Sequence, residues 1–417
     1  MPIHLPPALK QRRFFLLWAG LLISLAGSQM QIAAIFWHIR VLTGVPNPLA
    51  LGGIGLARIL PVLVFSLIGG PIADVFNRRT VLFITQSIST LIALVLAILT
   101  FRGQIVLWHI YALTALQAAA SSFDLPARQA MVPNLVPTED LANAFSMTSI
   151  ASNTGSVVGP LLGGVVIATL GLGFTYLFNA ISFLAVILAL IAIGPVAQGT
   201  RSSTGVNLSS IRDGIQFILS RPMILSTMLL DFVATFFASA NTMMPIVARD
   251  ILKVGEVGYG VLSSAQSIGS VLAALIISQL HTIRRQGPLF LWAVVVFGVA
   301  TVVFGISHVF LLAFLALILM GAADAVSTII RNTIRQMQTP DHLRGRMTSV
   351  NQIFFQGGPQ LGEVEAGIVA QLFGVPFAII SGGIGCILGM LLISLKWPQL
   401  RTFDRDEPAP ASSPVVN

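Results

Sequence analysis

The stretch that decides the fold is Gly69–Leu82, which reads GGPIADVFNRRTVL. An apolar run of roughly twenty residues precedes it and another follows, and each is long enough to cross a bilayer. The stretch is therefore a short polar turn between two membrane helices. Arg78 and Arg79 place the turn on the cytoplasmic side by the positive-inside rule. Asn77 stands where the chain reverses, because Asn tolerates the left-handed backbone of such turns. Asp74 lies one helical turn before Arg78.

The composition of the whole chain indicates a polytopic membrane protein. Of its 417 residues, 55% are hydrophobic and only 9% are charged, against about 25% charged in a soluble domain. The net charge of +8 reflects cytoplasmic loops that face anionic lipid, and it does not indicate nucleic acid. The single cysteine, Cys386, excludes a disulfide framework, and the six histidines show no metal-ligand spacing. Since a phosphate-binding Gly-Lys-Ser/Thr loop is also missing from the sequence, we expect neither an enzyme nor a cofactor.

Twelve apolar segments of spanning length divide into two sets of six, which predicts an all-α fold of two six-helix bundles. The basic start of the chain runs into an apolar segment too long for a signal-peptide core, so we expect an uncleaved first helix. The predicted spans are 14–36, 48–70, 81–101, 105–127, 143–169, 174–195, 222–246, 257–279, 287–306, 309–331, 346–373 and 375–396.

The domain organisation follows from the longest link. Residues 1–195 form the first predicted bundle, 196–221 a cytoplasmic linker, 222–400 the second bundle, and 401–417 a disordered tail rich in Pro, Ser and Ala. Within the linker, apolar residues recur at helical spacing and predict an amphipathic helix on the membrane surface; they are Leu208, Ile211, Ile215 and Ile218.

The distribution of Lys and Arg fixes the orientation. With both termini in the cytoplasm, only five of the 23 basic residues fall outside cytoplasmic segments; they are Arg40, Arg58, Arg102, Arg249 and Lys253. The two halves also repeat each other at a distance near 200 residues. Arg78-Arg79 matches Arg284-Arg285, and Asp124 with Arg128 matches Asp324 with Arg331. Two six-helix halves in the same orientation form the parallel repeat of one class of transporters.

The polar turn resembles the loop between helices 2 and 3 of the major facilitator superfamily, Gly-x-x-x-Asp-Arg-x-Gly-Arg-Arg. Gly70, Asp74, Arg78 and Arg79 match at the right spacing, while Val75 and Asn77 replace the usual Arg and Gly. The resemblance implies a gating loop on the cytoplasmic side. The alternative is a solvated turn with a carboxylate at a helix end.

Further stretches resemble the subgroup of that superfamily that contains the enterobactin exporter and macrolide efflux proteins. They are Asp124–Arg128, Asn179–Phe183, Leu343–Met347 and Gly357–Gly367. The fifth segment resembles the superfamily's antiporter-associated signature through Gly155, Gly159, Pro160, Gly163 and Gly164. Small residues at this spacing also serve simple close packing of helices, so both interpretations stay open.

The acidic residues of the membrane segments are candidates for gating and coupling. Asp124 and Asp324 lie near cytoplasmic helix ends, where pairing with Arg128 and Arg331 favours a structural gate. Asp231 lies about 15 Å into its helix, where a carboxylate is costly unless it faces a cavity or a partner. Together with Glu363 and Glu365 it is a proton-coupling candidate, with a fixed inter-helix hydrogen bond as the alternative.

Other polar residues in the spans are candidates to line a wet cavity or to join helices. They are Gln29, Gln31, Asn241, Gln266, Gln356 and Gln360. Arg58 lies inside the second span, where it either meets an anionic substrate or extends its charged end toward the membrane surface.

Together these observations favour a secondary active, proton-coupled exporter of a small amphipathic molecule, either siderophore or drug-like. We expect a monomer in the inner or plasma membrane whose partners are substrate, protons and lipid. A nutrient importer of the same fold, a non-transporting sensor and a lipid scramblase are the alternatives.

The loop resemblance generates the first prediction. Asp74→Asn should leave the protein folded at normal membrane abundance and slow transport severely. Asp74 sits at a helix end beside Arg78, and we expect this loop to act as an inside latch, that is, to hold the cytoplasmic side closed during transport. Substrate flux at matched expression measures this. Wild-type turnover would refute the latch.

Overall fold

The structure is a computed structural model. It describes residues 6–196, 215–237, 239–280, 284–340 and 343–404, without the side chains of 66–75, 240, 241, 344–346, 349, 352 and 353. Two helical halves make up this part of the chain. The N-terminal half holds α1 Arg12–Leu42, α2 Pro48–Val75, α3 Arg78–Phe101, α4 Leu107–Met131, α5 Leu141–Thr169 and α6 Leu172–Ile193. The C-terminal half holds α7 Pro222–Phe237, α8 Gly255–Ser278, α9 Gln286–Ile306, α10 Phe310–Gln338, α11 Arg344–Phe373 and α12 Val375–Lys396.

The twelve helices follow the twelve predicted spans, and the all-α fold is confirmed. Nine of the helices described are long and apolar enough to cross a membrane. The other three are α7, which has 16 residues, and α4 and α11, which carry more polar side chains. Backbone N–H and C=O groups inside a bilayer have no water to bond to, so an apolar segment that crosses it must form a helix. The length of the apolar segments was therefore enough to locate these helices.

The seventh segment is less regular than expected. A continuous span over 222–246 was predicted, but α7 ends at Phe237 and the chain continues as a 3₁₀ turn, Ala240–Met243. A short α-helical turn and a π-helical turn, Val247–Ile251, follow. Ser239 lies in this irregular stretch, and its hydroxyl donates to the carbonyls of Thr235 at 2.8 Å and Pro359 at 3.2 Å. Pro245 then removes a backbone donor from the next turn.

The deciding turn of the sequence is built by a cap. Asn77 was expected to adopt a left-handed backbone, which is wrong, since its φ is −64°. Its side chain instead accepts hydrogen bonds from the backbone N–H groups of Arg79, at 3.0 Å, and Thr80, at 3.4 Å. These are N–H groups that have no partner within α3, so Asn77 fixes the residue at which that helix begins.

The two halves repeat in structure as well as in sequence. Gly171 and Gly374 precede α6 and α12 with φ of 91° and 93°, and each of these two helices has 22 residues. Both glycines supply a backbone conformation that is costly for residues with a Cβ. Gly171 and Gly374 therefore occupy corresponding positions, each directly before the last helix of its half.

Residues near the two segment boundaries extend this picture. Of the amphipathic linker helix, only residues 215–220 fall within the described part; they are helical, and Ile218 is buried beside Ile224 and Met347. At the other boundary, Phe403 is buried and its carbonyl accepts from the N–H of Gly287 at 3.0 Å. The packed chain therefore extends to Asp404, past the expected start of the tail at 401, and residues 405–417 lie outside the described range.

The halves meet through α2 against α11 and α5 against α8. We call the end of the bundle that carries Arg12 and Lys396 the terminal end, and the end that carries the α1–α2 loop the far end. Both contacts are closest near the far end and both are made by glycine pairs. A Cβ on Gly52 would lie 2.9 Å from the Cα of Gly367, and a Cβ on Gly164 would lie 2.9 Å from the Cα of Gly260. The halves are thus in backbone contact at two equivalent places.

The remaining glycines of the α5 signature serve a contact inside the N-terminal half. A Cβ on Gly159 would lie 2.6 Å from the carbonyl oxygen of Ala26, and one on Gly163 would lie 3.2 Å from the side chain of Met30. Gly155 and the buried Pro160 lie on the same helix, with Gly155 also against α1. The signature therefore packs α5 onto α1 on one side and, through Gly164, onto α8 on the other.

The glycine contact between the halves generates the second prediction. Gly52→Val should disfavour the conformation closed at the far end by about 1–3 kcal/mol, because the added side chain overlaps α11. A cysteine introduced at Ala33, which is buried in this conformation, should then react faster with a maleimide. The native Cys386 is buried and gives a low background.

The matched control is Gly357→Val on α11, where a Cβ meets nothing within 4 Å. Equal labelling rates in the two variants would contradict the assigned contact.

Candidate transport site

An ion pair between the halves lies near the middle of the helices. Arg58 of α2 and Glu363 of α11 approach to 3.6 Å between Nη1 and Oε1. Each is ten residues from the far end of its helix, or about 15 Å in depth at helical rise. The glycines that let α2 and α11 touch lie one to two helical turns closer to the far end. The ion pair therefore marks the inner limit of that contact.

The groups around this ion pair have unused hydrogen-bonding capacity. The Arg58 guanidinium lies over the ring of Phe36, 5.4 Å from its centre. In the part of the chain that the structure describes, Oε2 of Glu363 and Oε1 of Gln360 are buried without a hydrogen-bond partner. Buried acceptors without donors are unfavourable, which is typical of places where a ligand, an ion or water completes the set.

A second set of contacts closes the far end above the ion pair. Arg40 of α1 donates from Nε to Oδ2 of Asp250 at 2.7 Å and from Nη2 to Oδ1, a two-point contact with the π-helical turn. The hydroxyl of Tyr259 donates to the carbonyl of Ala33 at 2.8 Å, and its ring lies 4.9 Å from that of Trp37. These residues join α1 to the C-terminal half and form what we call the far-end latch.

A cavity of about 230 Å³ lies at the terminal end between α1, α4 and α5 of the N-terminal half, and its wall includes Leu125 and Phe145, which are 40% and 43% exposed. On the opposite half, the Asp324 side chain is 47% exposed although it lies 14 residues before the end of α10. A carboxylate at that depth is costly in lipid, which favours contact of Asp324 with water.

A buried charge cluster holds the C-terminal half together. Oδ1 of Asp231 on α7 lies 2.9 Å from Nη1 of Arg331, and Oδ2 lies 3.5 Å from Nη2 of Arg335, both on α10. Arg335 also donates to the side-chain oxygen of Asn351 at 2.6 Å. The predicted pair of Asp324 with Arg331 is present at 3.8 Å, but Asp231 is the nearer partner.

In the corresponding cluster of the N-terminal half, the ion pair lies within one helix. Asp124 pairs with Arg128 four residues later, as expected. It also accepts hydrogen bonds from Thr85 at 3.0 Å and Gln86 at 2.7 Å, both on α3. Asp124 is buried and its charge is compensated, so its role here is to tie α3 to α4.

The remaining candidates from the sequence are dispersed. Gln29 donates to Ser156 of α5, Gln31 accepts from Asn179 of α6, and Gln266 contacts the sulfur of Met320; these contacts join helices within each half. Gln356 and Glu365 are partly exposed on α11. The side chains of Asp74 and Asn241, and the surroundings of Gly70, lie outside what the structure describes. Arg78 and Arg79 donate to the carbonyls of Ala130 at 2.9 Å and Leu190 at 2.8 Å.

The structure therefore separates two coupling candidates that the sequence had grouped. Glu363 faces Arg58 of the opposite half, whereas Asp231 belongs to the cluster with α10. Sequence reasoning assigned no role to Arg40, Asp250 or Tyr259. One signal was present, because Arg40 is one of the few basic residues outside the segments predicted to be cytoplasmic, and a charge there calls for a partner.

Two equivalent six-helix halves that close on one another at one end define a membrane transporter of the major facilitator type, not an enzyme. The chain belongs to the transmembrane secretion effector family, whose profile matches residues 5–417.

Among curated proteins, the chain is 28% identical over 355 residues to the enterobactin exporter EntS of Citrobacter koseri, covering 85% of each chain. It is 27% identical over 345 residues to the EntS protein of Salmonella typhimurium, covering 82% of each.

Solved structures agree on the fold. An inward-facing bacterial homologue of the human lysosomal transporter Spinster superposes with a TM-score of 0.71 at 14% identity, covering 95% of this chain and 99% of that one. An inward-facing bacterial homologue of the iron transporter ferroportin gives 0.68 at 16% identity, covering 93% and 98%.

The far-end latch generates the third prediction. Asp250→Asn should loosen the far end, because it leaves the buried Arg40 without its counter-charge. Removing one partner of a fully buried pair costs about 3–5 kcal/mol, and the effect should be smaller here since the Asp250 side chain is 27% exposed. Amide hydrogen exchange in residues 33–43 and 247–254 should rise.

Glu139→Gln serves as the control for this measurement, because it makes the equivalent change at an exposed residue of the terminal end. Unchanged exchange in both segments of Asp250→Asn would mean that the ion pair does not hold the far end closed.

Proposed function

We propose that this transporter is a proton-coupled exporter that moves a small amphipathic molecule, siderophore or drug-like, out of the cell. The proposal places it as a monomer in the inner or plasma membrane with both termini in the cytoplasm. The observation that carries it is the Arg58–Glu363 ion pair, which joins the halves at the inner limit of the closed far end. A titratable group in an inter-half contact links protonation directly to the opening of that contact.

The orientation supports export. The terminal end carries most of the basic residues, which favours the cytoplasm for that end. The cavity between α1, α4 and α5 lies at the same end, where a substrate from the cytoplasm would enter. The curated relatives named above are exporters, which favours the same direction.

The coupling cycle follows from the electrostatics of the pair. While Glu363 is charged, it attracts Arg58 and holds α2 against α11. Protonation of Glu363 in the outward-open state would remove that attraction and accompany release of substrate. Loss of the proton to the cytoplasm would then restore the ion pair and the conformation described here.

Asp231 fits this coupling role less well than Glu363. It is buried between two arginines of its own half, and neutralising it would leave two cationic groups in the bundle interior without their counter-charge. We therefore assign Asp231 to the structure of the C-terminal half, and Glu363 to proton coupling.

The function can be tested by an efflux assay in a strain that lacks its own exporters, with a panel of siderophores and macrolides. Export of a panel member should cease when a protonophore collapses the proton gradient. A nutrient importer would instead accumulate its substrate, and a lipid scramblase would be unaffected by the protonophore. A sensor would show no flux.

The assignment of roles generates the fourth prediction. Glu363→Gln should abolish efflux driven by a pH gradient and retain substrate exchange, because the cavity persists while the titratable group is gone. Glu365→Gln, two residues further along α11, should retain both activities. Asp231→Asn should lower folded yield and both activities together.

These measurements need proteoliposomes in which exchange and pH-driven accumulation are assayed separately. If Glu363→Gln keeps pH-driven efflux at the wild-type rate, Glu363 is not the coupling residue.

A further inference from the structure

We propose that Arg58 is the receptor for an acidic oxygen group of the substrate, and that Glu363 occupies this receptor only while the substrate is absent. The inference rests on the proposed transport function and deepens it. It names the chemical class of the substrate, an acid with a hydrogen-bond donor close to its anionic oxygen, and it states what the substrate displaces.

The first observation is that Arg58 holds its partner loosely. Its nearest carboxylate oxygen is 3.6 Å away, and within the described residues its guanidinium donates no hydrogen bond. A guanidinium that is built as a structural strut usually forms two short parallel bonds with a carboxylate, as Arg40 does with Asp250. The donors of Arg58 are therefore available to a ligand.

The second observation is that the Arg58 side chain remains partly exposed. Phe36 covers one face of the guanidinium, and the N–H groups point outward along its edge. The Arg58 and Glu363 side chains retain 19% and 14% exposure. An anionic oxygen that approaches along this edge meets the N–H groups.

The third observation concerns the acceptors beside the pair. Oε2 of Glu363 and Oε1 of Gln360, one helical turn apart on α11, are buried without donors among the described residues. A ligand that brings a hydroxyl or N–H group close to its acidic oxygen satisfies one of these acceptors while its anion binds Arg58. A simple cation would match the acceptors but would be repelled by Arg58.

The other ion-paired arginines of the described chain do not offer this combination. Arg331 and Arg335 are 3% and 2% exposed and are held by Asp231, Ser327 and Asn351. Arg128 is held by the carboxylate four residues before it on its own helix. Arg58 alone among these combines partial exposure, an unfilled donor set and a partner on the opposite half.

The test compares two probes of nearly equal shape, the hydroxy acid mandelate and its neutral amide mandelamide, by calorimetric titration of the full-length protein in lipid nanodiscs. The wild type should bind the acid about tenfold more tightly than the amide, as a charge-assisted hydrogen bond implies. Arg58→Gln should remove this preference.

Glu363→Gln separates competition from a structural role, because the two predict opposite changes in the affinity for the acid. If Glu363 competes with the ligand, its removal should strengthen binding of mandelate by about tenfold and leave mandelamide unchanged. A merely structural ion pair would make both Arg58→Gln and Glu363→Gln weaken binding. Glu365→Gln is the matched control and should leave both affinities unchanged.

The inference is overturned if the wild type shows no preference for the acid, if Arg58→Gln keeps the preference, or if Glu363→Gln weakens binding of the acid. Should Arg58→Gln not yield folded protein, the Glu363→Gln measurement decides alone. The proposed function fails separately, when the preference is present but no panel compound is exported. Export without the preference leaves the function standing and refutes the anion receptor.

Discussion

The conformation depends on backbone contact between the halves at two equivalent crossings, Gly52 with Gly367 and Gly164 with Gly260. No side chain intervenes there, so the helices approach as closely as their backbones allow. This proximity is what brings Arg58 within reach of Glu363 and Arg40 within reach of Asp250. The charges then select the closed state, while the glycines make that state sterically possible. Closure is thus divided between a shape requirement and an electrostatic one.

Much of this fold could be predicted from the sequence because the membrane removes alternatives. A span must be a helix, its length is set by the bilayer, and Lys and Arg mark one side. The deviations occur where local polar chemistry acts. Asn77 was assigned to the correct turn for the wrong reason, since it caps α3 through its side chain. The seventh segment is irregular beyond Phe237, where Pro245 cannot donate a backbone hydrogen bond, and hydropathy does not register this difference.

The site could be predicted only in part. Arg58 and Glu363 were identified individually because a charge within an apolar run demands an explanation. Their pairing could not be derived, since it joins positions roughly three hundred residues apart through a contact between halves. The pair of Asp124 with Arg128 was derived correctly because both lie on one helix, four residues apart. Local pairs follow from helical periodicity, whereas non-local pairs follow from packing.

The different construction of the two charge clusters has a consequence for biogenesis. Asp124 meets Arg128 as soon as α4 forms, so the N-terminal cluster is neutral when it enters the membrane. Asp231 has its partners on α10, which emerges from the ribosome about a hundred residues later. Before α10 is present, Asp231 on α7 has no counter-charge. An unpaired carboxylate or arginine is unfavourable in lipid. We therefore expect the insertion of α7 to depend on that of α10, because the counter-charges of Asp231 lie on α10.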